Sequence, residues 1–195
     1  MAFVTNCEYA YSMDSGRLVT MVRRGMWLGC SLMVWIAVGC ATTAPPPASF
    51  PSPLLGKELP SVRGNTVSGE TMKPQDLQGR PVVIKFFAKY CEPCKRTLPS
   101  AQRSHVRRGD VLFVGISEDE MVSDAQQLVR AYGLTFPVIH DRDNVLSGRF
   151  RVSDLPVTFV VDRCGVVRYV LGPDHEAQVL DQVLDSMSTC GMAGP

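Results

Sequence analysis

The chain has 195 residues, 45% of them hydrophobic, and a formal net charge of +1. That length suits one globular core, and the balanced charge excludes the basic excess with which proteins hold nucleic acid. No internal repeat and no heptad pattern divides it, which excludes solenoid and coiled-coil architectures.

In chain order, residues Met1 to Thr20 form no convincing element, and Met21 is a second candidate start. Arg23-Arg24 then precedes "GMWLGCSLMVWIAVGC", Gly25 to Cys40, which carries no charge. A basic stretch before a short apolar run is the layout of an export signal. The run falls short of the ~20 residues a spanning helix needs. Its end, Ala37-Val38-Gly39-Cys40, resembles the lipobox of bacterial lipoproteins, with Ala37 where Leu is usual. Lipidation of Cys40 is therefore expected, with an uncleaved anchor as the alternative. "ATTAPPPASFPSP" follows as a semi-extended tether. Residues 1–40 are thus read as extension and signal, 41–53 as tether, 54–190 as the domain and 191–195 as a tail.

Export implies an oxidising compartment and makes the cysteine count informative. Cys7 and Cys30 would leave with the signal, and Cys40, Cys91, Cys94, Cys164 and Cys190 would remain. Lipidation of Cys40 makes the remaining number even.

Within the domain, "LPSVRGNTVSGETMKPQDLQG" reads as a short strand pair turning at Gly64-Asn65. "RPVVIKFFA", Arg80 to Ala88, is β-branched, aromatic and nearly continuously apolar, the pattern of a strand buried on both faces. A helix is expected from Cys91 to about Val106, with Pro99 as a kink. A second buried strand spans Asp110 to Ser117. The amphipathic helix Met121 to Gly133 has Val122, Ala125, Leu128, Val129 and Tyr132 at helical spacing and stops at a glycine. Strand, helix and strand on short connections make a βαβ unit. "PVTFVVD" and "GVVRYVLG" then form a hairpin about Arg163-Cys164, and an amphipathic helix spans about His175 to Met187. The fold class is α/β: a thioredoxin-like mixed sheet flanked by helices, with an N-terminal β-hairpin.

"FFAKYCEPCKRTLP", followed by "YGLTFPVIHD" and "LPVTFVVD", resembles the membrane-anchored thioredoxin-like proteins of the TlpA/ResA type. The resemblance covers roughly Leu54 to Met187. It departs from the family at Tyr90, where Trp is usual before the first cysteine, and at Lys85, where Asp or Asn is usual. It implies a thiol–disulfide oxidoreductase acting on protein cysteines, as a reductant, with apocytochrome c or another exported redox protein as partner. It also implies that Leu155-Pro156 is a cis peptide facing the dithiol; the residues alone show only a proline at the start of a strand. Tyr90, Glu92, Pro93, Leu155 and Pro156 would support the site.

The chemistry of Cys91-Glu92-Pro93-Cys94 can also be argued directly. Disulfide exchange needs a thiolate to attack, a second thiol to resolve the mixed disulfide, and access for the partner's sulfur. A cysteine at a helix N-terminus meets unpaired N–H groups that favour its thiolate. Cys91 is thus the attacking and Cys94 the resolving cysteine, and Pro93 costs little in the first turn. No cofactor is required, since electrons pass through the cysteines.

A zinc site lacks its second ligand pair, because Cys164, Cys190, His105, His140 and His175 are scattered over other elements. A copper carrier on this fold would carry CxxxC, and a peroxidatic cysteine would follow Pro-x-x-x-Thr-x-x-Cys. A non-enzymatic metal- or thiol-binding protein on the same fold remains the alternative.

Three further features have two readings each. Lys85 could sit near Cys94 and favour its thiolate, but a stem snorkelling to a sheet edge is preferred. Glu118, just beyond a strand's C-terminal end, could relay protons to the dithiol; a solvated loop carboxylate is preferred. Lys89, Lys95, Arg96, Arg103, Arg107 and Arg108 could steer acidic partners, against a solvated basic face. In the expected topology Cys164 and Cys190 meet at the end distal to the dithiol. A disulfide there would close a loop of about 26 residues and stabilise by roughly 3 kcal/mol. A monomer is expected.

Overall fold

The computed structural model describes residues 49–173 and 176–187, which lie in the second of the chain's two units, Thr43–Pro195. The expected signal and lipidation segment, with Cys7, Cys30 and Cys40, lies outside the described residues, as do His175 and Cys190.

A hairpin of β1 (Gly64–Asn65) and β2 (Thr71–Met72) precedes the main sheet. Then come β3 (Val82–Phe87), α1 (Glu92–Arg107), β4 (Leu112–Ser117), α2 (Val122–Tyr132), β5 (Val138–His140), α3 (Val145–Phe150), β6 (Val157–Val161), β7 (Val167–Leu171) and α4 (Glu176–Ser186). The five-stranded sheet has the order β5-β4-β3-β6-β7. β3 pairs parallel with β4 and antiparallel with β6; β5 extends the parallel half and β7 the antiparallel half. This is the expected thioredoxin-like mixed sheet.

β3 is buried along its whole length because it is the middle strand and is covered on both faces. Its side chains alternate between two cores. Val83 and Phe87 join Leu98 of α1, Leu128 of α2 and Leu180 and Val183 of α4. Val82, Ile84 and Phe86 join Phe150 of α3 and Phe159 of β6, the three aromatic rings packing at 5.0–5.8 Å between centroids. Gly115, opposite Lys85 in β4, leaves room in the first of these cores: a Cβ there would lie 2.9 Å from the Phe87 ring.

Several expectations are corrected. Gly64-Asn65 is strand β1, not a turn. The turn runs over 66–70, closed by Thr66 N–H donating to Glu70 O at 2.7 Å, with Gly69 supplying the positive φ of 94°. Gly64 is needed for close approach, since a Cβ would fall 2.5 Å from Ile139 Cγ2. The β6–β7 connection is longer than Arg163-Cys164. Asp162 fills its turn, accepting from Cys164 N–H and Val166 N–H at 2.9 Å each, and Gly165 sits at φ 80°. β5 and α3 carry no sequence signal of their own, because three and six residues are too few to show a period. Val122, expected on the buried face of α2, is exposed at the helix's first position.

Lys85 also departs from expectation. Its side chain is 1% exposed in the central strand, where no sheet edge lies within reach of its stem, so it does not snorkel to an edge. It shares the face of Val83 and Phe87, toward α1.

Both outer strands are covered. The turn after β1 bonds β5, with Val67 N–H donating to Val138 O at 2.8 Å. Residues 50–59 run along β7: Phe50 N–H donates to Val170 O at 2.6 Å and Leu59 N–H to Gly165 O at 2.7 Å. Edges left bare would invite pairing with other chains.

Candidate active site

β3 delivers the chain to the site. After Phe87 it turns through Ala88 to Tyr90, with Cys91 N–H donating to Ala88 O at 3.2 Å. Lys89 N–H donates to Asp119 Oδ1 at 2.8 Å, fastening this turn to the end of β4. Cys91 is then the N-cap of α1, with φ −83° and ψ 100°. Its sulfur does what a Ser or Asp oxygen does at such a position, accepting the Cys94 N–H at 3.1 Å. Pro93 occupies the first turn, where an N–H is dispensable.

Cys91 and Cys94 are joined as a disulfide, with Cα atoms 5.2 Å apart. Cys91 is 6% exposed and Cys94 is wholly buried, so a partner's sulfur reaches Cys91 first. The Leu155-Pro156 peptide is cis, as the resemblance implied. Leu155 lines the same cleft as Cys91, together with Tyr90, Glu92, Pro93 and Glu118. Six expected residues thus meet at one opening. Pro156 is buried behind Leu155, and Lys85 is not part of the cleft wall.

Three residues of the wall were not anticipated: Val152, Ser153 and Asp154, which lead into Leu155. No motif marks them; only the cis-proline position could have pointed there. Asp154 adds a third carboxylate to Glu92 and Glu118. Glu92 pairs with Lys95, one turn along α1. Among the described residues neither Glu118 nor Asp154 has an ion-pair partner.

Glu118 is not a solvated loop carboxylate. It is half-buried, and its N–H donates to Phe87 O at 3.0 Å, which holds it beside the end of β3. Burial raises its carboxyl above the usual range; the Ser147 hydroxyl opposes the rise, and the Asp141 and Asp119 carboxylates add to it. Tyr90, 72% exposed, has its phenol raised by partial desolvation and then by the charges of Glu118 and Asp119.

The basic residues serve elsewhere. Lys89 pairs with Asp124 of α2 at 2.7 Å, while Arg107 and Arg108 pair with Asp181 and Asp185 of α4. They dock helices on one another, so the face expected to steer acidic partners is partly neutralised. Among the described residues no group of three or more His, Cys, Asp or Glu could hold a metal ion. Cys164 is disulfide-bonded; Cys190, its expected partner, lies outside the described residues.

Residues 55–170 match the model of the AhpC/TSA family, more than half of the chain. The chain belongs to that family. Within it, the thiol-disulfide oxidoreductase ResA of Bacillus subtilis is 30% identical over 129 residues, covering 65% of this chain and 72% of the relative. A secreted Mycobacterium tuberculosis disulfide oxidoreductase, described as homologous to E. coli DsbE, is 26% identical with a TM-score of 0.58, covering 65% of this chain and 94% of that one. The thiol:disulfide interchange protein of Chlorobium tepidum shares the fold, with 24% identity, a TM-score of 0.60 and coverage of 72% and 99%. The chain is a ResA-like protein of the thioredoxin superfamily.

The raised Glu118 carboxyl has a consequence for stability. A carboxyl whose folded pKa lies above its unfolded value, ordinarily 4.5, favours the fold while protonated. That contribution is lost as pH rises through the folded value. Glu118→Gln, which keeps an acceptor for Ser147, is therefore expected to be more stable than the parent at pH 7–8, with the gap closing toward pH 4. Urea midpoints across that range measure it; a gap that does not grow with pH refutes the assignment.

Proposed function

We propose that the protein is a thiol–disulfide oxidoreductase that exchanges disulfides with protein cysteines through Cys91 and Cys94. The observation that carries this is Cys91 on the cleft wall, its sulfur the N-cap of α1, with Cys94 wholly buried one turn on and a cis Leu155-Pro156 bond at the same cleft. The oxidoreductase names of the ResA and Mycobacterium relatives support it.

The reductive direction runs as follows. The Cys91 thiolate, stabilised by the Cys94 N–H and the helix N-terminus, attacks one sulfur of a partner disulfide, whose other sulfur leaves as thiolate. A Cys91–partner disulfide forms. The Cys94 thiol gives up its proton, with the Glu118 carboxylate as its acceptor, and its thiolate attacks the Cys91 sulfur of the mixed disulfide. The Cys91–Cys94 disulfide forms, and the partner's second thiolate departs. Two electrons have passed from the dithiol to the partner, and the protons finish on the partner's thiols.

Cys94→Ser removes the resolving thiol and is expected to accumulate mixed disulfides through Cys91, whereas Cys91→Ser yields none. Non-reducing electrophoresis with mass identification reads both. Absence of any adduct across glutathione buffers, together with stoichiometric copper or zinc binding, would establish the alternative of a metal-binding protein.

We further propose that the protein acts as a reductant. The resemblance of its motifs to the TlpA/ResA type is what suggests this direction. A glutathione redox titration of the Cys91/Cys94 pair is expected to give a midpoint below about −200 mV. A value near −120 mV, the strongly oxidising end of the range, sinks it.

We also propose that Cys40 carries a lipid that tethers the domain on the outer side of a bacterial membrane. The basic, apolar and Ala-Val-Gly-Cys segments of the sequence support this. Cys40→Ala is then expected to release soluble exported protein or to stall processing; fractionation showing unchanged membrane attachment with an intact N-terminal segment favours an uncleaved anchor.

A further inference from the structure

We infer that Ser147 is a positioning residue for proton transfer at the dithiol cleft, its hydroxyl alternating its donation between the carboxyl groups of Glu118 and Asp141. The inference rests on the exchange mechanism above, in which Glu118 takes the proton of Cys94.

The geometry is a line of three groups. Ser147 Oγ bonds Glu118 Oε1 on one side and lies 3.2 Å from Asp141 Oδ2 on the other. Asp141 is held in place by backbone donors. Its Oδ1 accepts from Val145 N–H at 3.0 Å and Leu146 N–H at 3.1 Å, and its Oδ2 from Ser147 N–H at 2.9 Å. Ser147 and Asp141 are each only 6% exposed, so the hydroxyl has little access to water as a substitute partner.

A serine hydroxyl has one proton and two acceptor positions. While Glu118 is ionised, the hydroxyl donates to it. Once Glu118 has taken a proton, the carboxyl can donate to Ser147 Oγ, and the hydroxyl can turn its own proton to Asp141. Both states of Glu118 are then hydrogen-bonded without movement of the backbone.

The charged and titratable groups around Glu118 come from several elements, among them His140 of β5, whose Nε2 bonds Asp119 O at 2.7 Å. Tyr90 precedes α1, Glu92 opens it and is paired with Lys95, Asp119 follows β4, Asp141 follows β5 and Asp154 precedes β6. Asp119 is itself occupied, by Lys89 N–H at 2.8 Å and Ser117 Oγ at 2.8 Å. Ser147 is thus the side-chain donor to Glu118 among the described residues.

The test is the pH dependence of resolution in the full-length protein. Reduced protein is mixed with glutathione disulfide, and formation of the Cys91–Cys94 disulfide is followed from pH 4 to 9. The parent's rate should rise through the titration of Glu118, and Glu118→Gln should lose that limb. Ser147→Ala should move the limb to higher pH by about one unit, because the carboxylate loses its donor. Ser147→Thr, which keeps a hydroxyl, should restore it, and adding Ser147→Ala to Glu118→Gln should change nothing further. Carboxyl titration by NMR on oxidised protein reports the same shift without turnover, and thermal melts show that each variant is folded. A limb lost in Glu118→Gln but unmoved in Ser147→Ala overturns the role of Ser147 and leaves the relay standing. A profile unchanged by Glu118→Gln overturns the relay and this inference with it.

Discussion

The site depends on one hydrogen bond, from the Cys94 backbone N–H to the Cys91 sulfur. It makes the reactive atom the cap of α1, so the group that starts the helix is also the group that does the chemistry. On reduction the same N–H and the open N-terminus of the helix favour a thiolate at Cys91. Cys94, wholly buried one turn on, receives no such help from solvent. The asymmetry between attacker and resolver therefore follows from where the central strand ends and the helix begins.

Charge separates the two ends of the molecule's chemistry. Arginines late in α1 are taken up by aspartates of α4, and Lys89 by Asp124, so part of the positive charge near the helix is committed to packing. The cleft keeps its carboxylates. Glu118 is consequently a poor anion, raised first by burial and then by Asp141 and Asp119, with Ser147 opposing. A carboxyl held in that condition takes a proton from a buried thiol more readily than an ordinary surface glutamate would.

What the sequence shows and what it hides have physical reasons. The CxxC, the long apolar run of β3 and the glycine stop of α2 are local signals, and each was readable. Pro156 needed the family likeness, because a proline before a strand does not reveal its isomer. Gly64 misled for an instructive reason: glycine beside asparagine favours a turn, but here the glycine answers a steric demand from Ile139, seventy-five residues later in the chain. Lys85 misled because a lysine in an apolar run gives no indication that its strand will be central. The Asp141–Ser147–Glu118 line joins the ends of two strands and a short helix, so its spacing in sequence carries no pattern.

The scaffold explains how these groups can be held in place on loops. The chain before β3 is spent on the sheet's two exposed sides, residues 50–59 along β7 and the hairpin along β5. At the far end Asp162 fixes the β6–β7 turn through Cys164, Val166 and Arg168, and Cys164 is itself disulfide-bonded. With both edges paired and the distal turn fastened, the loops at the opposite end start from strands that cannot slide. Asp141 then carries that rigidity one step further: three backbone N–H groups lock the start of α3 to the end of β5. The hydroxyl that touches Glu118 is thereby placed by the sheet, although it belongs to a helix too short to hold its own position.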